Sequence, residues 1–128
     1  MVRAIAVFVV MLAGCGGTSI DAPVPSTAMC ADVVDVTMTR EPAGTYRFDV
    51  TVRSADTGWE KYADGWEVRS PDGTVLGTRV LAHPHVDEQP FTRTLTGVAI
   101  PAGITEVVVA ARDLVDGFCG ETMTLPVG

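Results

Sequence analysis

Apolar and polar residues alternate with a period of two along most of the chain beyond residue 31. In the clearest segment, residues 46–53, every second residue is large and apolar, and the residues between them are charged or threonine. This alternation is typical of β-strands with one buried face. The pattern predicts seven strands, at residues 32–40, 46–53, 66–69, 74–82, 91–98, 105–112 and 121–127. In the first strand it predicts that Val34, Val36 and Met38 face the core.

Short turns separate some of these strands, and longer connections separate the others. Residues 41–44, 70–73 and 101–103 each combine proline with glycine, which favours tight reversals. Because no segment has a helical period, we expect an all-β fold, a seven-stranded antiparallel sandwich of the immunoglobulin or fibronectin III type. A small barrel is the alternative. The apolar strand 105–112 is expected at a central position, covered on both sides.

If successive strands alternate in direction, the tight turns gather at one end of the sandwich. The three long connections, which begin near residues 54, 83 and 113, then lie together at the other end. These connections contain both histidines, three of the aromatic side chains and clustered acids. Loops held by a rigid sandwich commonly form binding surfaces, so we expect the functional site there.

The N-terminus resembles an export signal. Arg3 precedes an apolar run, residues 4–14, that is shorter than the roughly 20 residues of a membrane-spanning helix. Leu12-Ala13-Gly14-Cys15 resembles the lipobox of bacterial lipoproteins, which implies lipidation of Cys15 and cleavage before it. The predicted organisation is a signal peptide at 1–14, a flexible tether at 15–29 and a β-sandwich domain at 30–128. Gly16 after the cysteine resembles the pattern of outer-membrane lipoproteins where a cell has two membranes.

The net charge limits the macromolecules that this protein could bind, and the cysteine content indicates a disulfide. The formal net charge of −7 disfavours nucleic acid and anionic lipid surfaces. Contact with the membrane is therefore expected through the lipid anchor alone. With Cys15 lipidated, Cys30 and Cys119 remain, and an oxidising compartment favours a disulfide between them over two free thiols. Each cysteine stands just before a predicted strand, and both fall at the same end of the sandwich.

Both histidines of the chain lie in His83-Pro84-His85. Pro84 favours an extended His83, so the two imidazoles can point to the same side. Zinc or copper accepts imidazole and carboxylate ligands, so a metal site is one hypothesis. Its further ligands would come from Asp87, Glu88 or Asp116. The alternative is that the two histidines bond to backbone groups and brace the loop.

Other residues of the long connections suggest further sites. A calcium site could draw on Asp56, Glu60, Asp64 and Asp116, although no EF-hand spacing is present. The candidate binding residues of these loops are Trp59, Tyr62, Asp64 and Phe118. The three aromatic rings would form a platform for a sugar or a peptide, or would cap the core. Arg93 is expected to pair with Asp113 or Glu88.

Residues 47–53, 59–66, 83–85 and 89–93 together resemble a family of uncharacterised small secreted bacterial proteins, over about residues 34–127. The resemblance implies no activity. Its members often carry a histidine and a Gly-Gly pair near the tip of the last long connection. This chain has Asp116 and Cys119-Gly120 there, so the resemblance does not supply a third histidine ligand.

No nucleophile with a neighbouring base and no phosphate-cradling glycine loop is present, so an enzyme is not expected. The sequence predicts a lipid-anchored extracytoplasmic binding or interaction module of the cell envelope. It establishes no cofactor, and zinc or copper is the candidate. A protein or a glycan would contact the long connections. The alternative is a structural envelope lipoprotein with no small-molecule ligand.

Overall fold

The computed structural model describes residues 29–128 and contains β-strands but no helix in that part. The strands are β1 Asp32–Arg40, β2 Tyr46–Arg53, β3 Ala63–Arg69, β4 Val75–Val80, β5 Phe91–Val98, β6 Glu106–Asp113 and β7 Met123–Pro126. Within residues 29–128, no helix is long and apolar enough to cross a membrane. The predicted signal peptide, Cys15 and all but the last residue of the predicted tether lie outside the described residues.

The strands form two antiparallel sheets. One sheet has the order β1-β2-β5, and the other has the order β4-β3-β6-β7. Two separate sheets make the architecture a sandwich and not a closed barrel, so the all-β seven-stranded prediction is confirmed. β6 lies between β3 and β7, which confirms the central position expected for this apolar strand.

The core lies between the two sheets and takes large side chains from both. Phe48 and Phe91 come from the three-stranded sheet, and Trp66 comes from β3 of the other sheet. The predicted bounds of β1, β2 and β5 agree with the structure. β3 begins three residues earlier than predicted, at a fully buried Ala63. The segment Ala63-Asp64-Gly65 lacks the branched and aromatic residues that usually signal a strand.

The prediction that Val34 faces the core is wrong. A β-bulge between Val33 and Asp35 interrupts the pairing of β1 with β2. Val33 is therefore the residue buried in the core, and Val36 and Met38 pack against the same core. A bulge adds one residue to a strand and reverses the inside-outside alternation beyond it, which a strict period of two cannot anticipate.

The two ends of the sandwich differ, as the strand directions predict. Tight turns close one end, which we call the tight-turn end. There Gly44, Gly73 and Gly103 adopt positive φ angles of 86°, 92° and 92°. The other end, which we call the loop end, carries the first loop (residues 54–62), the second loop (81–90) and the third loop (114–122).

A disulfide confirms the predicted pairing of Cys30 with Cys119 and lies at the loop end, with the two Cα atoms 5.3 Å apart. Next to it, the Glu121 backbone N–H donates to Asp32 Oδ1 at 2.7 Å, and the Val33 N–H donates to the Glu121 carbonyl at 2.8 Å. The third loop is therefore fastened to the start of β1 by a covalent bond and by hydrogen bonds.

Candidate functional site

A buried carboxylate joins the first and second loops. Asp56 Oδ1 accepts hydrogen bonds from Ser54 Oγ at 2.6 Å and from the Ala63 N–H at 2.9 Å. Asp56 Oδ2 accepts from the His85 backbone N–H at 2.8 Å. These donors satisfy a carboxylate that would be costly to bury alone. Asp56 therefore holds the two loops together.

Gln89 makes a second connection between the same loops. Its Oε1 accepts from the Ser54 N–H at 2.9 Å, and its Nε2 donates to the His85 carbonyl at 2.8 Å and to Ser54 Oγ at 3.3 Å. One side chain thus bridges the first loop and the middle of the second. The following peptide bond, Gln89–Pro90, is cis.

The His85 ring is buried in the second loop. It stacks on Phe91 with ring centroids 3.9 Å apart, and Arg93 Nη2 lies 2.9 Å from Nε2. A guanidinium has no acceptor, so His85 Nε2 accepts this bond, and the neutral ring carries its proton on Nδ1. Burial, the charge of Arg93 and the neighbouring His83 lower the pKa of His85 below its usual value, because all three oppose a charged ring.

Arg93 also binds Glu88, with 2.9 Å between Nη2 and Oε1. This confirms one of the two partners expected for this arginine. The other expected partner, Asp113, binds Lys61 instead. The second loop is thus braced on β5 by Arg93, Glu88 and the stacked rings.

The residues of the predicted zinc or copper site are only partly brought together. The rings of His83 and His85 lie with centroids 4.5 Å apart, and Glu88 Oε1 is 4.0 Å from His85 Nε2. Arg93 contacts both Nε2 and that carboxylate oxygen, while Asp116 binds Lys61. Among residues 29–128, no group of three or more histidine, cysteine or acidic side chains is placed to hold a metal ion.

Lys61 forms the second centre of the loop end. Its Nζ donates to Asp113 Oδ2 and Asp116 Oδ2, each at 2.8 Å, and to the Met29 carbonyl at 3.0 Å. Asp113 Oδ2 also accepts from the backbone N–H groups of Val115 and Asp116. The lysine therefore joins the first loop, the third loop and the chain that enters β1.

Opposing effects act on the pKa values of this cluster. Burial raises the pKa of Asp113, but the bonds from Lys61 and from two backbone amides outweigh burial, so the pKa lies below its usual value. Burial likewise lowers the pKa of Lys61, and the two aspartates raise it by more. Both groups are thus charged at neutral pH and stabilise each other.

The four residues of the calcium hypothesis already have separate roles or positions. Asp56 is bound by backbone and side-chain donors, Asp116 binds Lys61, and Asp64 Oδ2 accepts from Arg112 Nη1 at 2.9 Å. Glu60 is exposed at the tip of the first loop. The described structure thus provides no cluster of free carboxylate oxygens from these four side chains.

The three aromatic candidates are divided between two positions. Trp59 is exposed and meets Tyr62 edge to face, with ring centroids 5.8 Å apart. Phe118 folds back from the third loop, and the Arg69 guanidinium lies 4.2 Å from the centre of its ring. Trp59 and Tyr62 therefore belong to the first loop, and Phe118 belongs to the outer face of the four-stranded sheet.

Beside Phe118 a groove of about 420 Å³ opens on that outer face. Gly65, which has no side chain, is among the residues that line it. Its walls combine the Asp64–Arg112 ion pair with the apolar side chains of Phe118 and Val80. The groove thus offers an exposed aromatic ring next to paired charges of both signs.

Sequence reasoning did not identify Lys61 or Gln89 as residues that join the loops. Both contact partners far away in the sequence, and no local spacing signals such contacts. A signal did exist for Asp113, since aspartate three residues before Asp116-Gly117 is typical of a turn in which the carboxylate accepts nearby backbone N–H groups.

A similar protein is known from Halomicrobium mukohataei. It is named "Putative lipoprotein" and is 40% identical over 95 residues, which is 74% of this chain and 46% of that protein. The chain thus spans about half the length of the curated relative it matches. No protein-family model matches the chain, and no solved structure gives a significant match.

Proposed function

We propose that this protein is a lipid-anchored interaction module of the cell envelope, which binds a protein or a glycan in the groove beside Phe118. The observation that carries the proposal is the groove itself. An exposed aromatic ring and an ion pair of Asp64 with Arg112 face the same opening. Flat aromatic faces and paired polar groups suit sugar rings and peptides alike.

Preorganisation supports a binding role for this part of the molecule. Gly65, Arg112 and Thr78 come from three neighbouring strands, so these lining residues do not need to order themselves upon binding. Binding surfaces that are already ordered lose less conformational entropy when a ligand arrives. We assign the groove no catalytic step.

The anchoring part of the proposal rests on the amino-acid sequence and on the relative. Leu12-Ala13-Gly14-Cys15 resembles a lipobox, and the protein from Halomicrobium mukohataei carries a lipoprotein name. We infer lipidation at Cys15 and an extracytoplasmic position in the envelope, with an outer-membrane location where the cell has two membranes. The Cys30–Cys119 disulfide is consistent with an oxidising compartment.

The finer identity of the sandwich is also a proposal. In immunoglobulin constant domains the fourth strand joins the first, second and fifth strands. Here β4 pairs with β3 in the sheet of β6 and β7. We therefore favour the fibronectin III-like alternative over the immunoglobulin constant arrangement.

Mass spectrometry of the protein purified from membranes tests the anchor. We expect a mature N-terminus at Cys15 that carries a diacylglycerol, and we expect the Cys15→Ser variant to leave the membrane fraction. An unmodified Cys15 in a membrane-free protein would contradict the anchor.

Photocrosslinking in intact cells tests the groove. A photoreactive phenylalanine analogue at position 118 is expected to capture one defined envelope protein or polysaccharide, and Arg112→Ala is expected to reduce the yield. The same analogue at exposed Ala102, at the tight-turn end, is the matched control. Equal products from both positions, or none from position 118, would favour the structural envelope lipoprotein without a ligand.

A further inference from the structure

Each of the three loops at the loop end exposes a large apolar side chain. Trp59, Val86 and Val115 are 66%, 51% and 63% exposed, and they belong to the first, second and third loops. Exposed apolar side chains are common singly, but a cluster at one end of a domain indicates a contact surface. We call these three residues the apolar tips.

Two turns present the apolar tips of the first and third loops. The Lys61 N–H bonds to the Gly58 carbonyl, which puts Trp59 and Glu60 at the tip of a tight turn. Asp113 and Gly117 exchange two backbone hydrogen bonds of 2.9 Å, and Val115 lies midway between them. Both side chains are therefore held outward by closed backbone turns.

The tips belong to one continuous structure. The Leu114 N–H donates to the Tyr62 carbonyl at 2.9 Å, which joins the third loop to the first. Asp56 joins the first loop to the second through its bond to the His85 N–H. Of the eight large apolar side chains that the described residues expose, Val75 alone lies towards the tight-turn end.

The chain also enters the domain at this end. The Met29 carbonyl accepts from Lys61 Nζ at 3.0 Å, and the Met29 side chain is itself 53% exposed. Met29 lies fourteen positions after Cys15 in the sequence. A tether of that length, as the sequence predicts, would span about 20 Å on average. A lipid on Cys15 would therefore keep the loop end near the bilayer, whereas the tight-turn end lies about 25 Å further away at the far ends of eight-residue strands.

We propose that the apolar tips rest on the surface of the bilayer that holds the lipid anchor, with Trp59 at the level of the headgroups. Tryptophan favours the membrane interface because its ring is apolar and its N–H is polar. The inference rests on the proposed lipid anchor and goes beyond it, because the protein itself then contacts lipid. The groove beside Phe118 lies on the outer face of a sheet and stays open to a partner.

The charges of the loop end select the kind of lipid. Glu60 and Asp87 are exposed next to the apolar tips, whereas Lys61 and Arg93 are bound to acidic partners. Exposed acids are repelled by an anionic surface, and this repulsion weakens as salt rises. The surface therefore fits headgroups without net charge, such as phosphatidylcholine.

Fluorescence quenching in vesicles tests the contact. The full-length lipidated protein is placed in phosphatidylcholine vesicles in which some acyl chains carry bromine, which quenches tryptophan. We expect a blue shift and a loss of Trp59 emission. The second tryptophan, Trp66, is buried in the core, so the Trp59→Phe variant reports the background and is expected to show no loss.

Two matched variants locate the contact. Trp59→Phe combined with Ala102→Trp moves the reporter to the tight-turn end, where we expect no quenching. Val115→Ser is expected to reduce the quenching of Trp59, whereas Val75→Ser, which removes a side chain 48% exposed near the tight-turn end, is expected to leave it unchanged. Replacement of half of the lipid with phosphatidylglycerol is expected to reduce quenching at low salt.

The outcomes separate this inference from the anchor. If the protein floats with the vesicles and Trp59 is not quenched, the apolar tips do not contact lipid and the anchor stands. Equal quenching of reporters at positions 59 and 102 would also overturn the contact, because the domain would then have no preferred end. If the protein does not float at all, the anchor fails, and the membrane contact fails with it.

Discussion

The two ends of the sandwich are held together in different ways. At the tight-turn end, each turn is closed by its own backbone hydrogen bonds, and one long-range hydrogen bond of 2.8 Å joins the turn after β1 to β5. In the turn after β3, the Gly73 N–H donates to the Ser70 carbonyl, and Asp72 accepts from Ser70 Oγ and from the Thr74 N–H. These bonds lower the pKa of Asp72 to about 2.

At the loop end, the contacts join residues that are far apart in sequence. Lys61 and Asp113 are 52 residues apart, Ser54 and Gln89 are 35 apart, and the cysteines are 89 apart. The individual turns of the tight-turn end are therefore stabilised mainly by local bonds, whereas the loop end forms only with the whole domain. The long-range contacts also explain why three long loops can present ordered side chains.

The largest expected effect comes from the disulfide. Replacement of Cys30 and Cys119 with alanine is expected to lower the free energy of unfolding by about 4 to 5 kcal/mol, because the bridge restricts a long loop in the unfolded chain. Urea denaturation measures the loss. Reductant should destabilise the wild type and leave the double variant unaffected. If the wild type and the double variant were equally stable without reductant, the bridge would have no structural role.

Removal of the lysine at the centre of the loop end is expected to be the next most costly change. Lys61→Met leaves Asp113, which is 1% exposed, without its charged partner. Because Val115 and Asp116 still donate to that carboxylate, we expect a loss of about 2 to 3 kcal/mol in the free energy of unfolding.

The matched control is Arg47→Met, which breaks the exposed Arg47–Asp49 pair near the tight-turn end. Solvent screens exposed pairs, so little change is expected. Chemical denaturation of both variants decides the comparison. Similar losses in the two would mean that the Lys61 cluster is no more important than a surface ion pair.

Two glycines, one at each end of the sandwich, separate the stability cost of a steric overlap from the cost of a positive φ angle. A Cβ at Gly120 would overlap the Ala31 carbonyl oxygen, so Gly120→Ala is expected to push the third loop away from β1 and cost about 1 to 3 kcal/mol. Gly103→Ala meets no neighbouring atom and costs about 1 kcal/mol, through its positive φ alone.

Thermal unfolding of the two glycine variants, together with disulfide formation in Gly120→Ala, measures the difference. Slower or incomplete pairing of the cysteines is expected in Gly120→Ala and not in Gly103→Ala. If Gly103→Ala were the more destabilised variant, the close approach at Gly120 would be unimportant.

The smallest expected effect is the pH dependence of the second loop. The folded state lowers the pKa of His85, so the unfolded chain binds the proton more readily. The contribution of the neutral His85 ring to stability is therefore fully present above about pH 6.5, the usual histidine pKa. It is lost as the pH decreases through the lower pKa of the folded state.

His85→Gln does not titrate and is expected to flatten this dependence between neutral and mildly acidic pH. His83→Gln removes the smallest of the three effects that lower the pKa of His85, so the pH dependence is expected to persist and to weaken only slightly. Unfolding midpoints over a series of pH values measure both variants. An unaltered profile in His85→Gln would show that another group is responsible.

Local pattern predicted most of the fold. Alternation identified all seven strands, and proline with glycine identified the three tight turns, because strand and turn preferences depend on neighbouring residues. Strand direction then predicted the common end of the long loops, and the cysteine count together with an oxidising compartment predicted the pairing of Cys30 with Cys119. The local pattern did not predict the bulge after Val33 or the early start of β3, because both features arise where two strands pair.

The candidate site was predicted only as a region. The amino-acid sequence by itself determined which loops carry the histidines, aromatic rings and acids, and one partner of Arg93. The tertiary structure decided that Lys61 and Gln89 join the loops, that His85 is a buried acceptor, and that Phe118 borders a groove. The reason is physical: these side chains bind partners from other loops, and their distances and burial exist only after both sheets have packed.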